Sequence, residues 1–136
     1  MRYLKERRLD EVLKNLKQPV LGICLGMQLM CNHSEEGDTE CLGIFDTEVK
    51  RFPRPETLEG LGSNLKVPHM GWNFLNSEFK IQNSELLTHL KENDDVYYVH
   101  SYYAEICNNT TAACHYILPF SSVLEKDNFY ATQFHP

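Results

Sequence analysis

The sequence predicts an α/β domain in which a mostly parallel sheet is flanked by helices. Residues 2–17 carry apolar side chains at helical spacing between Leu9 and Leu16, which predicts an amphipathic helix. Residues 19–23 form a short apolar run that is typical of a buried strand, and residues 24–30 suit the start of a second helix. A helix, a buried strand and a helix in this order are typical of α/β units with parallel strands.

The rest of the chain predicts further strands separated by polar loops. We expect loops over 33–40 and 53–64 and a short helix over 84–90 capped by Ser84. The segments rich in residues that favour strands are 45–52, 66–74, 96–104, 112–118 and 122–134. No repeat or linker interrupts the 136 residues, so we expect one domain over 1–136.

Composition excludes several classes of function. The formal net charge is -6 with both signs mixed along the chain, which argues against a nucleic-acid partner. No apolar run is long enough to cross a membrane and the N-terminal residues do not resemble a signal peptide, so we expect a cytoplasmic protein without a membrane partner. The five cysteines are odd in number and form no CxxC pair, so we expect no zinc site, no disulfide framework and no cofactor.

One cysteine has the surroundings of a nucleophile. Residues 22–26 read Gly-Ile-Cys-Leu-Gly between the predicted strand and helix, which is the layout of a nucleophile elbow. The two glycines leave room for a tight turn, and the following helix directs its N-terminus toward the sulfur of Cys24. The backbone N–H of Leu25 is then placed to bind an oxyanion. A tight turn around a buried, unreactive cysteine is the alternative interpretation.

A cysteine nucleophile needs a base, and six histidines are available. His135 ends the β-rich segment 122–134, and active sites of open α/β sheets lie at such strand ends. Position therefore favours His135 as the base, with His100 as the second candidate.

Two motifs resemble a known family. Residues 19–28, Pro-Val-Leu-Gly-Ile-Cys-Leu-Gly-Met-Gln, and 133–136, Gln-Phe-His-Pro, are together similar to the class I (triad) glutamine amidotransferases. The resemblance implies a flavodoxin-like α/β fold with an added antiparallel portion. It also implies that Cys24 attacks the side-chain amide of glutamine to form a thioester, while His135 acts as the base.

Two further segments narrow the resemblance. Residues 67–73, Val-Pro-His-Met-Gly-Trp-Asn, and 99–103, Val-His-Ser-Tyr-Tyr, resemble the glutaminase subunits of imidazole glycerol phosphate synthases. Such a subunit forms a heterodimer with a barrel-shaped cyclase, which uses the channelled ammonia to make imidazole glycerol phosphate and AICAR in histidine biosynthesis.

The resemblance also assigns roles by position. It implies that Leu25 contributes to the oxyanion hole, that the substrate is bound by Gln28, Ser101 and Tyr102, and that Trp72 and Tyr97 face the cyclase. Trp72 and Tyr97 as core aromatics, and Gln28 as a solvated side chain, are the alternatives. The resemblance makes His100 structural.

The sequence departs from the family pattern at both ends. The family motif continues after the histidine with a glutamate, and family members begin with a strand and a Pro-Gly-x-Gly loop. The resemblance therefore implies a partial domain without its first strand and C-terminal part, and a glutaminase that is inactive or nearly so by itself. An ester hydrolase using Asp94 or Asp95 as the acid, and a non-catalytic binding subunit, are the competing hypotheses.

Overall fold

The computed structural model describes residues 1–54, 65–75, 84–90 and 94–135. Within these ranges the helices are α1 (Arg2–Glu6), α2 (Leu9–Lys14) and α3 (Leu25–Met30). The strands are β1 (Val20–Ile23), β2 (His33–Ser34), β3 (Thr39–Glu40), β4 (Glu48–Arg51), β5 (His69–Phe74), β6 (Asp95–His100), β7 (Tyr102–Ala104), β8 (Thr110–His115), β9 (Pro119–Lys126) and β10 (Phe129–Thr132). In the described ranges, no helix combines the length and the apolar character that crossing a membrane requires.

The predicted helix over 2–17 is wrong in extent, because the structure has two short helices there. Arg8 has a φ of 56°, a left-handed value that a continuous right-handed helix excludes. Neither α1 nor α2 contains a buried residue, so little packing energy favours one long helix over two short ones. The second helix ends at Lys14, with Asn15 as its C-cap.

The main sheet is mixed, and the prediction of a mostly parallel sheet is wrong. Its strands lie in the order β1-β10-β9-β7-β4-β2-β3, with β8 added beside β9. Only the pairs β1–β10 and β2–β4 are parallel among the described strands. Connections explain the difference: β9 reaches β10 through Asp127 and Asn128 alone, and such a short link permits only an antiparallel pair. The antiparallel portion is therefore present but larger than predicted.

A second sheet consists of β5 and β6, paired antiparallel from His69 opposite His100 to Phe74 opposite Asp95. It corresponds to the predicted β-rich segments 66–74 and 96–104, the second of which also contains β7. The remaining β-rich segments overlap β4, β8, β9 and β10, although β8 and β9 begin before the predicted bounds.

Two predicted irregular regions differ from expectation. The predicted loop over 33–40 contains the β2–β3 hairpin. Residues 84–90 form a turn and not a helix, although the Ser84 side chain caps it by accepting a hydrogen bond from the Leu87 N–H at 2.9 Å. Most of the predicted loop over 53–64 lies outside the described residues.

The core has two layers, one on each face of the main sheet. Val123 and Leu124 on β9 are both fully buried, but Val123 packs into one apolar cluster and Leu124 into the other. Successive side chains of a strand point to opposite faces, so β9 lies between the two layers. Helix α3 packs into the Leu124 layer through Met27 and Met30, and this contact positions the turn that precedes the helix.

Candidate active site

Cys24 occupies a strained turn between β1 and α3. Its φ is 50° and its ψ is -104°, a backbone conformation that costs energy for a residue with a side chain. Its N–H donates to the Thr132 carbonyl at 2.7 Å, which holds the turn against β10. The predicted strand, tight turn and helix are therefore all present around this cysteine. The prediction that the strand is buried is wrong, because β1 ends the strand order of the main sheet and Leu21 is 52% exposed.

The two glycines of the motif are not equivalent. A Cβ added to Gly22 would lie 2.8 Å from the backbone carbon of Gly26, so β1 and α3 approach too closely there for any side chain. A Cβ added to Gly26 would meet nothing within 4 Å. The expectation that the turn needs a residue without a side chain at both positions holds for Gly22. It is wrong for Gly26, where a Cβ would fit.

The sulfur of Cys24 lies in an environment with opposing effects on its ionisation. Burial raises the pKa of the thiol, and the Glu36 carboxylate adds to this by repulsion. The backbone N–H of Leu25 and the side chain of Gln133 lower the pKa by stabilising the thiolate, but they do not outweigh burial. The Gln133 amide donates to Sγ at 3.5 Å. Cys24 is therefore a thiol at neutral pH in this structure, and its reaction as a nucleophile requires a base.

His135 lies at the same edge of the sheet as Cys24. Ile23 and Thr132 are paired in the parallel β1–β10 ladder, so the residues that follow each of them leave the sheet side by side. The N–H of His135 donates to the Tyr97 carbonyl at 2.9 Å, which fixes its backbone against β6. No hydrogen bond joins the Cys24 sulfur to His135 in the part of the chain that the structure describes.

His100, the second candidate base, is buried with both ring nitrogens occupied. Its Nδ1 lies 2.7 Å from the Tyr102 carbonyl oxygen and its Nε2 lies 3.1 Å from Nδ1 of His69. Burial lowers the pKa of His100 to about 4. Its contacts are those of a group that holds structure, and neither nitrogen is free to accept a proton from Cys24.

A cavity of about 410 Å³ opens beside the sulfur. It is lined by Cys24, Leu25, Gln28, Glu36, Pro68, Val99, His100, Ser101 and Tyr102. The structure thus brings the predicted nucleophile and all the predicted substrate-binding residues to one cavity. Sequence reasoning missed Glu36, because a carboxylate in the polar segment 33–40 looks like any solvated loop residue.

Gln28 is buried, so its interpretation as a solvated side chain is wrong. It lies one helical turn after Cys24, and its Nε2 donates to the Tyr102 carbonyl and to Oε1 of Gln133, both at 3.0 Å. The Tyr102 carbonyl can only accept, which fixes the orientation of the Gln28 amide. Both Nε2 hydrogens are then used, so only the amide oxygen of Gln28, a residue that lines the cavity, is left for a further hydrogen bond. Sequence reasoning also missed the side chain of Gln133, which no spacing rule connects to Gln28.

Trp72 and Tyr97 are paired opposite each other in the β5–β6 sheet, with their ring centroids 5.4 Å apart. Trp72 is 71% exposed, which excludes its interpretation as a core aromatic. Tyr97 is half-buried, and its carbonyl is the acceptor for the His135 N–H. The two predicted interface residues therefore lie beside the backbone that holds the predicted base.

The ester-hydrolase hypothesis requires an acid beside the histidine. Asp95 is exposed at the start of β6, and no ion pair joins it to His135 among the described residues. The structure therefore gives no support to Asp95 as the acid.

Comparison with known proteins agrees with the geometry. The family model for glutamine amidotransferase class-I matches residues 4–136. Relatives named imidazole glycerol phosphate synthase subunit HisH include those of Bacteroides thetaiotaomicron, 56% identical, and Bacteroides fragilis, 54% identical, over 136 residues. A relative of the same name from Yersinia pseudotuberculosis is 41% identical over 137 residues. Each match covers 100% of this chain and 64% of the relative. The chain therefore belongs to the class I glutamine amidotransferase family.

Proposed function

We propose that this chain carries the glutaminase site of an imidazole glycerol phosphate synthase, which releases ammonia from glutamine for a cyclase partner in histidine biosynthesis. The observation that carries the proposal is Cys24, held in a strained turn at the wall of a cavity and at the same sheet edge as His135. Family membership and the names of the relatives support the same assignment.

The chemistry divides amide hydrolysis into two steps. His135 takes the Cys24 proton as Sγ attacks the side-chain carbonyl carbon of glutamine, and the Leu25 N–H stabilises the oxyanion. The C–N bond then breaks, and the imidazolium proton leaves with the amide nitrogen as ammonia. Water next attacks the thioester carbon and gives its proton to His135, the S–C bond breaks, and the protonated imidazole restores the Cys24 thiol as glutamate leaves.

The other wall of the cavity suits the amino-acid end of glutamine. The Glu36 carboxylate and the unused Gln28 amide oxygen offer two acceptors for the α-ammonium group. The Ser101–Tyr102 segment forms the neighbouring wall, where we place the α-carboxylate. This arrangement selects an α-amino acid with a side-chain amide that is long enough to reach Cys24.

The exposed face of the β5–β6 sheet suits the cyclase partner. Met70 is 62% exposed and Trp72 is 71% exposed, and they lie opposite Val99 and Tyr97 in the antiparallel register. A contiguous exposed apolar face of this kind is typical of a protein interface. Val99 belongs both to this face and to the cavity wall, so a partner bound here would lie next to the place where ammonia is released.

The test is covalent labelling of the 136-residue chain by a diazoketone analogue of glutamine. We expect the label on Cys24, with glutamine protecting against it and asparagine failing to protect. Cys31 and Cys114 are buried and act as internal controls for local unfolding. Labelling of Cys31 in preference to Cys24 would overturn the assignment of the nucleophile.

The competing hypothesis of a binding subunit with a degenerate site predicts a different pattern. Glutamine would then bind without making Cys24 reactive, so the analogue would bind reversibly and leave no covalent adduct. Cys24→Ser provides the matched control, because it keeps the cavity and removes the thiol.

A further inference from the structure

A buried pair of histidines connects β5 to the cavity. His69 begins β5 and is 3% exposed, while His100 ends β6 and is 5% exposed. Their rings are joined by a hydrogen bond of 3.1 Å between Nδ1 of His69 and Nε2 of His100. The proposed chemistry uses neither imidazole, and burying two of them is costly unless their polar atoms are satisfied.

The direction of these hydrogen bonds follows from the acceptors. The Tyr102 carbonyl can only accept, so Nδ1 of His100 carries a hydrogen. Burial lowers the pKa of both histidines to about 4, so each ring is neutral at neutral pH and has one donor and one acceptor nitrogen. Nε2 of His100 is then the acceptor, and Nδ1 of His69 is the donor to it.

The carbonyl at the end of this pair also belongs to the cavity. The Tyr102 oxygen accepts from His100 at 2.7 Å and from the Gln28 amide at 3.0 Å. Gln28 in turn donates to Gln133, whose amide donates to the Cys24 sulfur. An unbroken series of hydrogen bonds therefore runs from His69 to the nucleophile.

Aromatic rings hold His69 in place at the other end of the series. Its ring stacks between those of Tyr98, at 4.7 Å, and Tyr116, at 3.9 Å. Stacking on both faces restricts the ring to its own plane, which directs Nδ1 toward His100. A side chain that only filled space at this position would need neither the stacking nor the directed donor.

We propose that His69 is a positioning residue for glutamine. Its hydrogen bond to His100 orients the Tyr102 carbonyl, and this carbonyl in turn orients the Gln28 amide that faces the substrate. The inference rests on the proposed function, since it assigns Gln28 to glutamine recognition. Loss of the His69 donor frees His100 to rotate and weakens the hold on Gln28. Glutamine affinity then falls, whereas the intrinsic reactivity of Cys24 changes little.

The test compares His69→Leu with His69→Asn in the full chain, because the asparagine amide nitrogen can replace Nδ1 as the donor. The readouts are the glutamine concentration that half-protects Cys24 from the diazoketone, and the rate of Cys24 alkylation by iodoacetamide. We expect His69→Leu to need about fivefold more glutamine, as for the loss of one buried hydrogen bond, and His69→Asn to restore protection. Iodoacetamide alkylation should be unchanged in both variants.

Phe120→Leu is the matched control, because Phe120 packs against His100 in the same cluster without a hydrogen bond. It should lower stability and leave glutamine protection intact. Equal loss of protection in His69→Leu and Phe120→Leu would overturn the positioning role and leave only a packing role.

A measurement on the unmodified chain keeps the proposal decidable if His69→Leu does not fold. Nitrogen-15 NMR of labelled histidine should report both His69 and His100 as neutral Nδ1–H tautomers, which is the less common form. An Nε2–H tautomer at either residue would contradict the hydrogen bonds from His69 to His100 and from His100 to the Tyr102 carbonyl, whatever the result with glutamine. Failure of glutamine to protect Cys24 in the unmodified chain, with both Nδ1–H tautomers present, would instead reject the proposed function and with it the role in recognition.

Discussion

At the scale of single residues, the turn that carries Cys24 depends on close contact between two backbones. The space for a Cβ at Gly22 is taken by the carbonyl group of Gly26, whereas the space at Gly26 is open. We expect Gly22→Ala to lower the free energy of unfolding by at least about 2 kcal/mol, because backbone atoms must move to relieve the overlap. Gly26→Ala lies within α3 and should be neutral or stabilise by up to about 1 kcal/mol. Denaturation in urea measures both, and equal losses in the two variants would contradict the structure.

Gln133 supports a second prediction at this scale, which concerns the reactivity of Cys24. Its amide donates to the sulfur and lowers the pKa of the thiol by stabilising the thiolate. Gln133→Met removes this donor in a side chain of similar length, so the pKa of Cys24 should rise and alkylation at any pH below it should slow. The pH dependence of the iodoacetamide rate gives the midpoint. Cys41 in the same sample makes no contact with Gln133 among the described residues, and its rate should not change.

At the scale of elements, local sequence patterns predicted the positions of helices and strands along the chain better than they predicted how the strands pair. The motif 22–26 combines strand, turn and helix signals within a few residues, and all three are present. The helix over 2–17 was predicted from periodicity alone, which does not reveal that Arg8 adopts a left-handed φ. Sheet direction depends on which strands pair, and the one predicted β-rich segment 122–134 covers most of two strands, β9 and β10, that pair antiparallel.

The candidate site shows the same division. Cys24, Gln28, Ser101 and Tyr102 were predicted from motifs, and they line one cavity. Glu36 and the Gln133 side chain were not predicted, since their proximity to the sulfur depends on the β2–β3 hairpin and on the β1–β10 register. A polar residue acquires such a role from tertiary contacts, and its local sequence carries no mark of it.

The two buried histidines on β5 and β6 should make the free energy of unfolding depend on pH. Burial lowers the pKa of His69 and of His100 from 6.5 to about 4. The histidines of the unfolded state take up protons at a higher pH than those of the folded state. The stabilisation that the neutral histidines give the folded state is therefore complete above pH 6.5 and is lost as the pH falls from 6.5 toward 4. The loss is about 3 kcal/mol for one such histidine, at 1.36 kcal/mol per unit.

Urea denaturation between pH 7 and pH 4 measures this effect as a difference between variants, which cancels the contribution of the carboxylates. The double variant His69→Leu, His100→Leu should show a shallower fall in the free energy of unfolding than the unmodified chain. His115→Gln alters an exposed histidine and is the control. Parallel pH curves for the unmodified chain and the double variant would contradict the prediction.

At the scale of the whole molecule, the cavity and the apolar face form one continuous region. The N–H of His135 is held by Tyr97, Tyr97 contacts Trp72, and Val99 lines the cavity on the same strand as Tyr97. A partner that covers the β5–β6 face would therefore contact the strand that positions the proposed base. The chain spans 64% of the length of the Bacteroides thetaiotaomicron relative.

Trp72 provides the test at this scale. Its side chain is 71% exposed, so Trp72→Ala should change the free energy of unfolding by less than about 0.5 kcal/mol. An exposed tryptophan at the centre of an apolar face is typical of an interface hot spot, so the same variant should weaken binding to the proposed partner, a cyclase barrel subunit, by about 2 kcal/mol, or roughly thirtyfold. Tyr3→Ala removes a comparably exposed aromatic side chain from α1, outside the β5–β6 face, and should leave binding unchanged. Calorimetric titration of the unmodified chain and both variants with the barrel subunit measures the two affinities. Equal binding by Trp72→Ala and the unmodified chain would place the partner on another surface. The expected loss would place the partner, which uses the ammonia, on the β5–β6 face beside the cavity where ammonia is released.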